Sequence, residues 1–468
     1  MAPYRIYSAT GVIGMSFPEE SVQAVIEKGV DAVCCDAGST DPGPAYLAEG
    51  RSFFPADVCK RDLSLLLYAA RKMEVPLIIG SCGFCGVDAG VDLFAGLVRD
   101  AAREQGQAEF KIAKIYSEQS KPYLKSMIAS DLTEPLYPAK EALSSDQVER
   151  CNHIVASIGV EPYLAALDAG ADVILAGRST DTAIFAAPAM RAGVPEAAAW
   201  HAGKLLECGA SCAIPQLPFD GVIVAFEGDE FVIEPATSSD SVICTPYSVA
   251  AHFMHETASP LTLVEPTGTL DVSAAVYAAD SPRAVRVRGG RFDAADRYTL
   301  KLEGAEIYGY RTVTVGGVRD PRLTGQLRYW LENDVREIVG AEMRRLYGGK
   351  VAPGDYHIVF RLYGTGEIMG TREFRDFSEP REIGVVIEVI AATQAISEAI
   401  AVTTRQRVIH GAFPGRKNWL GGNMAVPFPE LKGGPAARFV LSHRIAPKRW
   451  QDAVRIEYED VRGQNEAR

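Results

Sequence analysis

Short apolar runs alternate with helical stretches over the first 180 residues, and this alternation restricts the possible folds more than any other feature. Four of the runs have the length and composition of buried strands, at residues 31–35, 76–79, 110–116 and 171–176. Strands that are apolar on both faces and separated by helices are typical of a parallel sheet covered by helices on both sides. A (β/α)₈ barrel would share this order, but the chain holds too few repeats for one. The sequence therefore predicts an α/β fold.

The alternation of strands and helices ends near residue 215, and a chain of 468 residues is too long for one hydrophobic core. Residues 221–231 predict a β-hairpin, and residues 323–346 have the apolar period of a helix. We therefore predict an α/β domain over residues 1–215 with an N-terminal parallel sheet and helices on both faces. A C-terminal α+β domain over residues 216–468 would contribute a loop that covers the ligand cleft of the first domain.

Polar or glycine-rich segments follow the four predicted strands, at residues 36–41, 80–88, 116–120 and 177–181. Right-handed crossovers place the carboxyl ends of parallel strands on the same edge of a sheet. Ligands bind at that edge in open α/β sheets. We therefore expect these segments to form one ligand cleft.

The segment Arg178-Ser179-Thr180-Asp181 lies between a buried strand and a helical stretch. Free N–H groups at a helix N-terminus bind anions, and an arginine adds a planar clamp for a carboxylate or phosphate. The segment thus predicts a substrate-binding turn. Alternatively, Asp181 only caps the helix and Arg178 pairs with an acidic surface residue.

The loop that begins at residue 80 carries Ser81, Cys82 and Gly83, which we predict to contact the substrate. Its three glycines leave room for the backbone to approach a ligand closely. Cys82 and Cys85 have the spacing of a metal or redox pair, but the chain holds no second ligand pair for a structural zinc site. We therefore interpret the two cysteines as small buried side chains and predict no metal.

Several charged residues at the predicted strand ends are candidates for acid–base chemistry. Asp36 follows a wholly apolar strand, so it is either an acid–base group in a partly desolvated cleft or a turn former. Asp88 would reach the same cleft from the next loop. Lys114 and Glu118 lie on or after the third strand, where they either face the cleft or are solvated at the strand edge. With Asp181, these four are the predicted catalytic residues.

A late segment over residues 413–423 places two cations and two asparagines among glycine and proline residues. The four polar residues are Arg416, Lys417, Asn418 and Asn423. The segment predicts either a surface turn or an anion-binding loop that reaches over the cleft of the first domain. We favour the second interpretation and include the four residues among the predicted substrate-binding residues.

Charge and motifs exclude several classes of function. The net charge of −12 argues against binding to nucleic acid. The chain has no run of 18 apolar residues and no signal pattern, and its nine cysteines are an odd number, so we expect a cytoplasmic protein that does not bind membranes. Glycine-rich loops for ATP or nicotinamide, zinc-protease helices and serine-hydrolase turns do not occur. We therefore predict that the protein needs no cofactor.

Four segments, in the same order and over nearly the whole chain, resemble the AtuA-like family, named for acyclic terpene utilisation. They are residues 35–38, 81–83, 171–181, and 414–416 together with 421–429. The resemblance implies a catabolic enzyme of branched or unsaturated carboxylic acids and their thioesters. It also implies a small partner domain, either separate or fused.

Together these features predict a lyase or hydratase that acts on a small carboxylic acid or acyl thioester and forms homo-oligomers. Arg178 and Arg416 would hold the substrate carboxylate, while Asp36 and Asp181 would orient or deprotonate the substrate. Backbone N–H groups of residues 80–86 would stabilise an enolate-like intermediate. Two alternatives stay open. The first is an isomerase or racemase, which would begin with the same proton abstraction. The second is that the chain is the large subunit of a two-component enzyme that needs a small partner.

Overall fold

The computed structural model describes residues 2–9, 11–107, 109–215, 220–375, 381–417 and 421–462. Contacts divide the chain into two compact units. The first unit consists of Met1–Glu306 and Phe439–Arg468, and the second consists of Ile307–Arg438. In the sequence, the second unit is therefore an insertion between two segments of the first.

The strands of the described chain are β1 Tyr4–Ser8, β2 Ala32–Asp36, β3 Leu77–Gly80, β4 Phe110–Tyr116, β5 Thr133–Pro135, β6 His153–Ser157, β7 Val173–Ala176, β8 Ala213–Ile214, β9 Val222–Glu227, β10 Glu230–Pro235, β11 Ile243–Cys244, β12 Thr262–Glu265, β13 Gly268–Asp271, β14 Val276–Ala279, β15 Val285–Arg288, β16 Arg291–Ala294, β17 Leu300–Val318, β18 Tyr356–Tyr363, β19 Ile383–Ala391, β20 Leu431–Ile445 and β21 Arg455–Val461.

The α-helices are α1 Glu19–Lys28, α2 Pro44–Glu49, α3 Ala56–Met73, α4 Asp88–Glu104, α5 Lys121–Ala129, α6 Ser145–Arg150, α7 Glu161–Asp168, α8 Ala183–Arg191, α9 Glu196–Leu206, α10 Pro246–Phe253, α11 Pro321–Thr324, α12 Leu327–Trp330, α13 Arg336–Leu346 and α14 Gln394–His410. A π-helical segment, Leu331–Val335, joins α12 to α13. Short 3₁₀ turns occur at Gly209–Cys212, Gly370–Arg372 and Trp450–Asp452.

A ten-stranded mixed sheet forms the centre of the first unit, in the order β14-β15-β10-β9-β1-β2-β3-β7-β4-β21. The five strands β1, β2, β3, β7 and β4 are parallel. Antiparallel strands extend the sheet on both sides, with β9 next to β1 and β21 next to β4. The predicted α/β fold with parallel strands near the N-terminus is confirmed.

Helices cover both faces of the parallel strands because successive strand residues point to opposite faces. On one face, residues such as Val33 and Ile79 pack with apolar side chains of α1, α3 and α4. On the other face, their neighbours Cys34 and Ile78 pack with side chains of α7, α8 and α9. All four strand residues are fully buried, so the strands are apolar throughout, as the sequence pattern requires.

The sheet continues beyond the domain boundary that the sequence predicts at residue 215. Strand β9 pairs with β1 over five residues, and β10 pairs with β9. Because a meander of antiparallel strands extends the parallel sheet, residues 222–235 belong to the first unit. The break between the units falls at Glu306 instead.

The second unit contains β18, β19 and the later part of β17, which pair antiparallel. One apolar cluster joins these strands to helices α12, α13 and α14, and Trp330 is its largest buried side chain. The predicted helix over residues 323–346 corresponds to α11, α12, the π-helical segment and α13.

Two glycines let the loop after β3 pack tightly within the first unit. Gly86 has φ +71°, and a Cβ atom there would lie 2.2 Å from the backbone nitrogen of Arg178. A Cβ atom on Gly83, with φ +72°, would lie 2.7 Å from the Cα atom of Gly90. The loop therefore uses these glycines for contact with its own neighbours, whereas the sequence predicts that they admit a ligand.

We predict that Gly86→Ala lowers the free energy of unfolding by about 2–4 kcal/mol. A positive φ costs an alanine about 1 kcal/mol, and overpacking against a backbone adds about 1–3 kcal/mol. Gly228→Ala is the matched control, because Gly228 has φ +70° and no atom within 4 Å of the added Cβ. Equal losses in the two variants, measured by chemical denaturation, would contradict the proposed steric role of Gly86.

Candidate functional site

Side chains from the carboxyl ends of three neighbouring strands meet at one edge of the parallel sheet. Asp36 ends β2, Ser81 follows β3, and Arg178 follows β7. The Nη1 atom of Arg178 donates to Ser81 Oγ at 3.1 Å, to Asp181 Oδ1 at 2.9 Å and to the carbonyl of Ser179 at 2.9 Å. The structure thus brings together Asp36, Ser81, Arg178 and Asp181.

Arg178 is buried and has a partner that the sequence analysis misses. Its Nε atom donates to Oε2 of Glu303 at 2.7 Å, and Arg178 and Glu303 are only 7% and 5% exposed. The other oxygen of Glu303 accepts from Thr40 Oγ1 at 2.8 Å and from Lys301 Nζ at 2.9 Å. Arg178 is therefore a buried cation with a buried partner, and it does not pair with an acidic residue on the surface as the alternative interpretation expects. No described residue accepts a hydrogen bond from Nη2, the remaining edge of its guanidinium.

Asp36 on β2 and Glu303 on β17 both lie near Arg178, but their pKa values are shifted in opposite directions. Burial alone would raise the pKa of Glu303, but the charges of Arg178 and Lys301 lower that pKa to about 2. Burial raises the pKa of Asp36 well above its usual value, and the negative charge of Asp181 raises it further. Arg178 and the backbone N–H groups of Ala37 and Gly38 only partly oppose these effects. Glu303 is thus a stable anion, whereas Asp36 tends to keep its proton.

Asp36 is buried, and its carboxyl group accepts hydrogen bonds from the backbone. Its Oδ1 atom accepts from the backbone N–H of Ala37 at 2.9 Å, and the residue is 5% exposed. Among the described residues no side chain donates to Oδ2. The carboxyl group can therefore give a proton to a molecule bound beside it.

A second group of buried polar residues lies beside Asp181. Lys204 and Glu207 form an ion pair at the end of α9, and Thr182 Oγ1 donates to Glu207 Oε2 at 3.1 Å. Burial raises the pKa of Glu207 to about 7, although Lys204 opposes it. Glu265, at the end of β12, is also buried and faces Thr180, Thr182, Asp181 and Glu207.

The predicted catalytic residues Asp88 and Glu118 form a neighbouring group with His153. The backbone N–H of Asp88 donates to Glu118 Oε2 at 3.1 Å, and that of Glu118 donates to Asp88 Oδ1 at 3.3 Å. Glu118 Oε1 lies 2.6 Å from His153 Nδ1. Burial, reinforced by the charge of Glu118, raises the pKa of Asp88 to about 6. These reciprocal bonds tie the start of α4 to the end of β4.

Lys114 is not part of either group. Its Nζ atom lies 3.3 Å from Asp92 of α4 and 3.2 Å from Glu457 of β21. The side chain leaves β4 toward these carboxylates, so Lys114 is a pairing residue between a helix and the edge strand.

Two residues of the predicted substrate-binding turn differ in their access to solvent. Ser179 is fully buried, and its Oγ atom accepts from the Tyr163 hydroxyl at 2.9 Å. It therefore supports the turn from inside instead of contacting a substrate. Thr180 is partly buried, and its backbone N–H donates to the carbonyl of Ile158.

The loop after β3 supports the site through hydrogen bonds to the end of β7. The backbone N–H groups of Ser81, Cys82 and Phe84 donate to the carbonyls of Gly177, Ala176 and Ser81. These three groups are consequently occupied and do not form the enolate-binding set that the sequence predicts. Cys82 and Cys85 are buried free thiols whose pKa values are raised by burial. In the described parts of the chain, no group of three or more histidine, cysteine or acidic residues is arranged to hold a metal.

The predicted late anion-binding loop lies in the second unit, and Asn418 is outside the described residues. Arg416 donates to the carbonyls of His410, Gly411 and Gly421, and Asn423 donates to those of Val408 and Gly411. Lys417 is exposed. The donors of Arg416 and Asn423 thus stabilise their own loop, and the site described above consists of first-unit residues alone.

Sequence reasoning misses Glu303, Glu265, Glu207, Lys204 and Thr40. Glu303 and Glu265 lie on strands of alternating polarity, where an acidic residue normally indicates the solvent face. Glu207 and Lys204 have the i, i+3 spacing of an ordinary surface pair on a helix. Thr40 is a short polar residue in a loop, and no local pattern distinguishes it.

A family model described as acyclic terpene utilisation family protein AtuA matches residues 78–347, which is more than half of the chain. The chain therefore belongs to the AtuA family, as the resemblance of its motifs predicts. No curated protein and no solved structure matches it. None of the helices within the described ranges is long and apolar enough to cross a membrane.

We predict that Glu303→Gln lowers the free energy of unfolding at pH 7 by about 3–5 kcal/mol, because it leaves Arg178 without its buried counter-charge. Glu104→Gln is the control. It breaks an ion pair with Lys60 in which Glu104 is 63% exposed, so we expect a loss below about 1 kcal/mol. Chemical denaturation measures both values.

The same pair predicts how stability depends on pH. The folded pKa of Glu303 is about 2, below its usual value of 4.5, so its contribution is complete above pH 4.5 and is lost as the pH falls toward 2. The wild type should lose more stability than Glu303→Gln over this window. Parallel pH curves for the two proteins would show that Glu303 is not a stabilised anion.

Proposed function

We propose that this AtuA-family protein is a lyase or hydratase that acts on a small carboxylic acid or its acyl thioester without a redox cofactor. The observation that supports the proposal most is the pair Asp36 and Asp181. Both carboxyls lie beside Arg178, but Asp36 is buried with a raised pKa, whereas Asp181 is 29% exposed in its side chain and bonded to the guanidinium. Two carboxyls whose environments differ in this way are suited to separate acid and base roles.

Asp181 is the proposed base. Its Oδ1 atom is held by Arg178 at 2.9 Å, and this hydrogen bond orients the carboxyl group. In an elimination, the other oxygen of Asp181 takes the proton from the carbon next to the substrate carboxyl or thioester. The electron pair of that C–H bond then forms the new double bond.

Asp36 is the proposed acid. As the substrate C–O bond breaks, Asp36 gives its proton to the leaving hydroxyl, which departs as water. Hydration is the reverse: Asp36 in its anionic form takes a proton from water, and Asp181 returns a proton to carbon. Each role is general acid–base catalysis, which typically contributes about 10²–10⁴-fold to a rate.

Arg178 supplies the proposed anchor through its Nη2 edge, the part of the guanidinium that no described residue occupies. One of its N–H groups can donate to an oxygen of a carboxylate or to a thioester carbonyl. The same donor would stabilise the negative charge that forms on this oxygen when the adjacent carbon loses its proton. Arg178 would thus both bind the substrate and activate it.

The direct test is incubation of the purified chain with a panel of 3-hydroxy acids, the corresponding 2,3-unsaturated acids, and their coenzyme A thioesters in D₂O. We expect gain or loss of water with deuterium at the carbon next to the carboxyl, measured by ¹H NMR. Deuterium in recovered substrate without change in water content would instead identify an isomerase or racemase, which would use the same two carboxyls.

We predict that Asp36→Asn lowers kcat by about 10²–10⁴-fold, because the amide accepts the Ala37 hydrogen bond but cannot donate an acidic proton. The matched control is Asp41→Asn, an exposed carboxyl in the same loop, which should retain wild-type kcat. In the wild type, kcat should fall as the pH rises through the raised pKa of Asp36, since the acid form is then lost. Full activity of Asp36→Asn would exclude Asp36 as the acid.

A further inference from the structure

Glu265 is a carboxyl residue in a place where solvent exposure would be expected. It ends β12 and pairs with Gly268 at the tip of the β12–β13 hairpin. Hairpin tips normally carry polar side chains into water, but Glu265 is only 5% exposed. The hairpin therefore brings a carboxyl group into the interior of the first unit, beside the site at the end of β7.

Among the described residues, no cation forms an ion pair with Glu265. Thr180, Thr182, Asp181 and Glu207 act on its carboxyl group. Lys204, the nearby buried cation, pairs with Glu207. Arg178 pairs with Glu303 and Asp181. Within the described residues Glu265 forms no ion pair, and its Oε2 atom has no hydrogen-bond partner.

An unpaired buried carboxylate is costly, and such a group stays neutral instead. A neutral carboxylic acid has an O–H donor that an anion lacks. The hydroxyl of Thr180 acts on Glu265 and is also buried without a partner. A hydrogen bond from protonated Glu265 to this hydroxyl would give both buried atoms a partner and would hold the backbone next to Asp181.

We propose that Glu265 is a positioning residue that acts on Asp181 in its neutral, protonated form. The proposal rests on the function proposed above, in which Asp181 is the base. A neutral Glu265 adds no negative charge beside Asp181 and leaves Asp181 as the anion that accepts the substrate proton. An ionised Glu265 would place a second negative charge beside Asp181 and would have no O–H group left to donate to Thr180.

The electrostatics of the site agree with this geometry. Burial raises the pKa of Glu265 to about 8, and the charges of Glu207 and Asp181 contribute in the same direction, while the threonine hydroxyls oppose it. The group is therefore mainly protonated at pH 7 and ionises as the pH rises through about 8. Because the folded pKa is above the usual 4.5, Glu265 ionises first in the unfolded chain, and the folded protein loses stability from about pH 4.5 to about pH 8.

The kinetic test compares Glu265→Gln with Glu265→Ala. Glutamine keeps the shape and the neutral charge and supplies an N–H donor, so we expect kcat at pH 7 within about threefold of the wild type. Alanine removes the donor, and we expect a loss of tenfold or more. Any decrease of kcat near pH 8 in the wild type should be absent from Glu265→Gln, whereas the decrease due to Asp36 should remain.

A second measurement needs no substrate. The free energy of unfolding of the wild type should fall relative to that of Glu265→Gln as the pH rises from 5 to 9. A constant difference over this range would overturn the proposal, since Glu265 would then not be held neutral. Inactivity of a folded Glu265→Gln at every pH would also overturn it, because Glu265 would then transfer a proton itself. If the wild type converts no compound of the panel, the proposed function fails, and the stability measurement alone decides whether Glu265 is neutral.

Discussion

The guanidinium of Arg178 connects segments that follow different strands, and the geometry of the site depends on these connections. It binds Ser81 after β3, Asp181 after β7 and Glu303 on β17. A buried cation is stable only when its counter-charges and hydrogen bonds are complete, and removal of one partner leaves an uncompensated charge. The segments are therefore coupled, since displacement of any of them removes a partner from the same guanidinium.

Burial and nearby positive charges together give the surrounding carboxyls different proton affinities. Glu303, which bonds Arg178 and Lys301, has a pKa of about 2, and Glu207, which bonds Lys204, has a pKa of about 7. Within the part of the chain that the structure describes, Asp36 and Glu265 form no ion pair, and burial raises the pKa of each. A site with both stable anions and stable acids can accept and donate protons at the same pH. This range of pKa values arises from the different surroundings of the four groups, because all four are carboxyls.

The sequence predicts the parallel strands and the meeting of their ends because both follow from apolar periodicity and from the handedness of crossovers. It does not predict the extension of the sheet by β9 and β10, since an antiparallel hairpin carries no sign of the strand it will join. The sequence pattern also does not predict that Glu303 and Glu265 are buried, because their burial depends on residues that are distant in the sequence. Ser179 is a further example. Its neighbours in the sequence indicate a turn at a strand end, but only the hydrogen bond from Tyr163 shows that the Ser179 hydroxyl points inward.

Strand β21 is the last element of the ten-stranded sheet in sequence, and it pairs along the whole of β4. During synthesis, β4 leaves the ribosome roughly 340 residues before its partner. At typical translation speeds of about 5–20 residues per second, this interval is on the order of 20–70 s. For that time the edge of β4 exposes unpaired backbone groups, which are a template for association with another chain. The nascent protein therefore needs protection at this edge, from a chaperone or from its own later segments, until the C-terminal strand arrives.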